Sequence, residues 1–173
     1  EQLLQQHRDD LACVMLEPAG PFGGNDRGFE PDVDPAFLRA VAAATRRAGA
    51  LLVFDEIITG YRYPGHSVQK AHGVVPDLAC FGKALASGMP LSAVVGRRDV
   101  FESTLPRCHY GPTFKGEALS LVAAKASIEV CRREPVAAHV WQYGERLRAG
   151  ILARCRAHGL AADMTGPPFR MSL

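Results

Sequence analysis

Long apolar runs are missing from this 173-residue chain. None approaches the roughly 20 residues that a bilayer-crossing helix needs. A strong charge of either sign is missing too. Twenty Lys and Arg against 18 Asp and Glu leave +2, too little to argue for nucleic acid or an anionic membrane surface. The five cysteines are an odd number without a C-x-x-C pair, which argues against a disulfide framework or a zinc site. A reducing, cytoplasmic compartment is the expectation. No charged-then-apolar leader opens the chain, so no signal peptide is expected. His66, His72, His109 and His139 show no metal-ligand spacing and are expected in surface or capping roles. No G-x-x-x-x-G-K-S/T occurs, and no G-x-G-x-x-G follows a strand.

What is present is a globular composition, 47% hydrophobic and 22% charged, with enough residues for one sizeable core. The chain opens in a polar helical segment, Glu1 to Asp9, and stops without a polar tail, as expected of a piece of a longer protein. Ala12 to Leu16 is a short apolar run stopped by Glu17-Pro18, the pattern of a buried parallel strand. A Gly- and Pro-rich loop follows from Ala19 to Asp34. Asp34-Pro35 then supplies an N-cap and a first-turn proline, with Phe37, Leu38, Val41, Ala44 and Ala48 at helical spacing and Gly49 as the stop.

Leu51 to Phe54 reads as the second strand of a βαβ crossover. Thr59 to Pro76 reads as a loop, Leu78 to Phe81 as a third strand and Ser92 to Val95 as a fourth. Helices are expected at about 117–133 and 136–158, divided by Pro135. The expected organisation is a partial α/β domain over residues 1–135. Residues 136–173 are expected to form a connecting helix and the first strand of a smaller domain.

Two residues carry the chemistry. Asp55 ends one apolar run, and Lys83 follows another 28 residues later. Parallel strands deliver both to the sheet edge where open α/β folds bind ligands. Asp55 alone admits several jobs: magnesium at a Walker B-like strand with Glu56, a ribose hydroxyl, a pyridinium nitrogen, or a turn or helix cap. Lys83 is either a surface lysine at a strand end or an amine whose buried stem favours the neutral nucleophile. An acid on a ring nitrogen and an imine-forming lysine are the pair that pyridoxal phosphate chemistry uses. Tyr61-Arg62-Tyr63 either lines a substrate entrance or packs a loop.

The segment Leu52-Val53-Phe54-Asp55-Glu56-Ile57-Ile58-Thr59-Gly60-Tyr61-Arg62 resembles the class III (fold type I) pyridoxal-phosphate aminotransferases. So do Pro76-Asp77-Leu78 and Gly82-Lys83-Ala84-Leu85-Ala86-Ser87-Gly88-Met89-Pro90-Leu91-Ser92-Ala93. Glu17-Pro18 and Pro112-Thr113-Phe114-Lys115-Gly116 match more loosely. The likeness covers roughly residues 11–133 and is nearest to the glutamate-1-semialdehyde aminomutase-like branch.

The resemblance implies a fold type I large domain, three layers α/β/α around a mostly parallel sheet, followed by the start of a small C-terminal α+β domain. It implies pyridoxal 5'-phosphate as cofactor and amino-group transfer between small-molecule donors and acceptors. Lys83 would form the Schiff base and move the proton, Asp55 would hold the pyridine nitrogen protonated, and Ile57 would cover one ring face. Thr113 would reach the phosphate of a neighbouring subunit, making a homodimer with shared sites. Glu17 lies near the site without an assigned role.

Two positions and one segment depart from the relatives' patterns. Ile58 stands where many ω-aminotransferases have a glutamine, and Phe22 where they have a second glutamate. Lys115-Gly116-Glu117-Ala118 replaces the Ser-Gly-Asn-Pro common in aminomutases. The family's phosphate cup and ring-stacking aromatic are expected to precede Glu1, so the chain alone is expected to be inactive. A P-loop-type nucleotide module and a non-catalytic relic of the fold remain as alternatives.

Overall fold

A parallel sheet needs crossovers, and the first is written in the capping residues around 34–49. In the computed structural model, which describes residues 2–19, 33–111 and 113–173, strand β1 (Cys13–Leu16) is followed by helix α2 (Pro35–Arg47) and strand β2 (Leu51–Glu56). A short helix, α1 (Gln2–Gln6), precedes them. Asp34 caps α2 by accepting from the Ala36 N–H at 2.7 Å, and Pro35 occupies the first turn. Gly49, at φ +73, turns the chain back into the sheet. Leu38 of α2 is fully buried with Leu52 and Phe54 of β2. Burying such a side chain contributes about 1.5–3 kcal/mol.

Strand β3 (Leu78–Phe81) pairs parallel to β2, and β4 (Ala93–Gly96) pairs antiparallel to β3, giving the order β1-β2-β3-β4. The antiparallel edge is tied down by Asp77. Its Oδ2 accepts from the Leu52 N–H at 2.8 Å, and its Oδ1 pairs with Arg97 at 2.8 Å.

The stretch 59–76, expected as a loop, holds a one-turn 3₁₀ segment (Pro64–His66) and a short helix, α3 (Val68–His72). The helix forms because Ser67 caps it through the Lys70 N–H and because Glu56 reaches its first turn from β2. Helix α4 (Arg98–Thr104), also not foreseen, follows β4. Most of the 19–34 loop, including Phe22, and Pro112 of the Thr113 loop lie outside the described residues.

Helix α5 (Ala118–Arg133) and helix α6 (Val136–Ala157) follow, split at Pro135 as the sequence predicts. Glu117 caps α5, accepting from the Leu119 and Ser120 N–H groups at 2.7 Å each. Trp141 of α6 and Phe169 beyond it close over Tyr63, each ring centroid 5.4 Å from the tyrosine's. In place of the expected strand, the C-terminal segment makes an isolated antiparallel bridge between Thr165 and Ser172. Gly144 permits this docking, since a Cβ there would meet the Pro168 carbonyl oxygen at 2.1 Å. Among the described residues, no helix is long and apolar enough to cross a membrane.

Candidate active site

Side chains alternate across a strand, so the adjacent acids of β2 face opposite ways. Leu52, Phe54 and Glu56 share one face, and the first two belong to the core. Glu56 is fully buried there. It accepts from the Thr59 hydroxyl at 3.1 Å, the Val68 N–H at 2.7 Å, the Gln69 N–H at 3.4 Å and the Gln69 side-chain amide at 3.1 Å. A carboxylate engaged in this way is not open to a metal, which removes the second acid of the Walker B-like alternative. Among the described residues, no cluster of His, Cys, Asp and Glu could hold a metal ion.

Asp55 lies on the other face, opposite Cys80 of β3 in the parallel register. Burial pushes the Cys80 thiol up, and the Asp55 charge adds to the rise. Asp55 Oδ1 accepts from the Ile57 N–H at 3.0 Å, and Oδ2 takes no hydrogen bond among the described residues. Ile57 in turn lies over Gly82, where an added Cβ would meet its Cγ2 at 3.4 Å. Gly60 sets the turn below, because a Cβ there would strike the Phe81 ring at 2.6 Å and the Glu56 carbonyl oxygen at 2.7 Å.

Lys83 begins the turn after β3 at φ +43. The four non-glycine residues with positive φ among those described are Tyr61, His66, Lys83 and Ser87, all in the loops leaving β2 and β3. Such backbone costs about 1–3 kcal/mol per residue and clusters where function demands it. Of the two readings of Lys83, the exposed strand-end lysine is the one found, because the chain leaves the sheet at Gly82 before the side chain begins. Lys83 makes no hydrogen bond or ion pair among the described residues. It lines a cavity of about 550 Å³ with Arg62, Ala84, Ser87, Gly88 and Met89.

Glu17 lies just past the end of β1, within electrostatic reach of the loops that carry Asp55 and Lys83. Burial pushes its carboxyl up, Arg170 opposes this without cancelling it, and the charges of Asp55 and Lys83 both reach it. Arg170 Nη1 pairs with Glu17 Oε1 at 2.7 Å across 153 residues of chain. Sequence reasoning missed Arg170. Its only signal was a lone cation in the apolar stretch Pro167-Pro168-Phe169-Arg170-Met171. The Tyr61-Arg62-Tyr63 segment divides its labour. Tyr63 is core and Tyr61 sits edge-on to Phe81, whereas Arg62 faces the cavity.

Asp55, Ile57 and Lys83 are thus gathered at the carboxyl ends of β2 and β3. Thr113 is not with them. It is exposed in the turn at 113–116 and makes no hydrogen bond to the other three among the described residues.

Comparison with known proteins follows from this geometry. Residues 1–162 match the family Aminotransferase class-III. The chain is similar to a glutamate-1-semialdehyde 2,1-aminomutase of Neisseria gonorrhoeae, with 36% identity over 98% of this chain. It spans 39% of the length of that relative. Among solved structures it is similar to the PLP internal aldimine form of the FumI protein of Sphingopyxis sp. MTA144. That likeness has a TM-score of 0.82 and 28% identity, and covers 96% of this chain and 39% of that one. An omega-transaminase from Sphaerobacter thermophilus gives a TM-score of 0.76 and 31% identity, covering 96% and 38%. The sheet and its helices are therefore a partial fold type I α/β domain.

Proposed function

The chain belongs to the class III aminotransferases, and from that premise we propose that it carries the reactive half of a pyridoxal-phosphate-dependent amino-group transfer site. The observation that carries this reading is the parallel register of β2 and β3. It puts an acceptor of Asp55 without a partner among the described residues and the amine of Lys83 past the same sheet edge. The donor set fits the cofactor: an unengaged carboxylate oxygen, an unengaged primary amine, and an apolar side chain over a glycine.

Pyridoxal phosphate, when bound, supplies an aldehyde that captures amines and a ring that accepts an electron pair. Asp55 Oδ2 holds a proton on the ring nitrogen, since a fixed carboxylate favours the charged form of a neighbouring base. Lys83 Nζ holds the cofactor at rest. Displaced by the substrate's amine, it would carry the proton from the substrate's amino-bearing carbon to the cofactor. Ile57 covers one ring face and excludes water there. Thr113, exposed on its turn, serves the phosphate in a second copy of the chain, so the working unit is a homodimer with shared sites. Small amino compounds are the substrates, by transfer between molecules or by migration within one, as the named activity of the aminomutase relatives suggests. The domain division proposed from sequence lies at Pro135, between α5 and α6.

Thermal unfolding separates this from a nucleotide module. Pyridoxal phosphate is expected to raise the melting temperature of the full-length protein by several degrees, with little effect on its Lys83→Ala variant. A rise with magnesium nucleotide and none with pyridoxal phosphate would overturn the reading.

A further inference from the structure

A carboxylate drawn partly out of water favours its neutral form unless a cation faces it. Glu17 is in that position, and its cation comes from the far end of the chain. The Glu17 and Arg170 side chains are 22% and 25% exposed, with Oε1 and Nη1 2.7 Å apart. Burial pushes the Glu17 carboxyl up and the Asp55 charge adds to the rise, while Arg170 and Lys83 oppose it.

The strand register sets what Glu17 faces. Leu16 of β1 pairs with Phe54 of β2, so the next residue along each strand falls level: Glu17 beside Asp55, on the same face of the sheet. Cys80 of β3 stands opposite Asp55 in turn, and Lys83 follows two residues beyond the end of β3. Three neighbouring strands thus deliver two carboxylates and one amine to one edge. Arg62 also lines the Lys83 cavity, and the Cys80 thiol, pushed up by burial and then by Asp55, adds no charge at neutral pH.

Arg170 does not reach in on a loose tail. Its own N–H donates to the Pro167 carbonyl oxygen at 2.8 Å, and the Thr165–Ser172 bridge closes the segment around it. Phe169 packs on Tyr63 and on Trp141, whose indole N–H donates to the Arg62 carbonyl oxygen at 2.7 Å. Arg148 of α6 donates to the Gly166 carbonyl oxygen. A guanidinium on a backbone tied in this way loses less freedom on pairing than one in a free surface pair.

We propose that Arg170 is a positioning residue for the amine chemistry: it keeps the Glu17 carboxylate ionised and fixed at the sheet edge, and Glu17 in turn favours the proton on the nitrogen that Lys83 supplies. Asp55 serves the ring, and the Glu17–Arg170 pair serves the lysine end. This deepens the amino-transfer reading and rests on it.

The test is a pH titration of the full-length protein loaded with pyridoxal phosphate. It follows the absorption of the attached cofactor, which changes colour as the linking nitrogen gains or loses its proton. Glu17→Gln removes the charge and keeps the shape, and is expected to lower the pH midpoint by about half a pH unit or more. Arg170→Met is expected to lower it too, because Glu17 then takes up a proton or leaves its place. Loss of the arginine's charge by itself would move the midpoint upward, so a fall identifies action through Glu17. In the Glu17→Gln background, Arg170→Met should give no further fall.

An unchanged or raised midpoint in either single variant overturns the proposal. So does a fall of equal size on Arg170→Met in both backgrounds, which takes the arginine's action away from Glu17. If Arg170→Met does not fold, Glu17→Gln decides by the sign of its shift: a lowered midpoint supports the proposal, and any other overturns it. The two readings fail separately. Cofactor that never attaches to Lys83 in the wild type defeats amino transfer. Attached cofactor whose midpoint ignores Glu17 defeats the present proposal alone.

Discussion

Asp55 and Glu56 are neighbours with opposite fates. Glu56 is committed to the core, where four donors converge on it. Asp55 keeps one oxygen without a partner among the described residues, at the mouth of the sheet. Glu56→Ala strands buried donors and should cost about 3 kcal/mol or more in denaturant unfolding. Asp55→Asn should change stability by less than about 1 kcal/mol, as a substitution that keeps an acceptor for the Ile57 N–H. In the full-length protein it should nevertheless lower kcat by about 10²–10³-fold, the usual cost of removing one aimed electrostatic group. Equal stability losses for the two variants would contradict this division. The sequence made Asp55 legible because a carboxylate ended an apolar run. It did not distinguish the roles of the two acids, which rest on strand alternation together with a helix twelve residues away.

The strands β1, β2 and β3 were readable as apolar runs and the long helices α2, α5 and α6 from periodicity and caps, and all lie within a few residues of their expected places. The short helices α3 and α4, of five and seven residues, were not. Too few turns repeat for a 3.6-residue pattern to show, and α3 depends on the distant carboxylate of Glu56. The direction of β4 was equally illegible, because it rests on the Asp77 junction. That junction carries a pH signature. Burial pushes the Asp77 carboxyl up, but the Arg97 guanidinium and the Leu52 N–H outweigh it and hold the group below its ordinary value. A carboxyl depressed in the folded state stabilises above its unfolded value and loses that contribution as pH falls through the folded one. The melting-temperature gap between wild type and Asp77→Asn should therefore be widest near neutral pH and narrow below about pH 4. A gap independent of pH would show that the ion pair with Arg97 contributes nothing.

The site as a whole exists only in three dimensions. Arg170 reaches Glu17 from the far end of the chain, and Trp141 fixes Arg62 from α6. No spacing rule links these pairs, so the sequence singled out Asp55 and Lys83, raised Arg62 only as one of two readings of its segment, and passed over Arg170. The central claim is that Asp55 and Lys83 serve one ring, with Lys83 as the residue that carries it. The most direct measurement is borohydride reduction of the protein incubated with pyridoxal phosphate, followed by peptide mapping by mass spectrometry. In the full-length protein, a single stoichiometric pyridoxyl-phosphate adduct on the peptide containing Lys83, absent from Lys83→Ala, is the expected result. An adduct spread over surface lysines, or one that survives in Lys83→Ala, would contradict it.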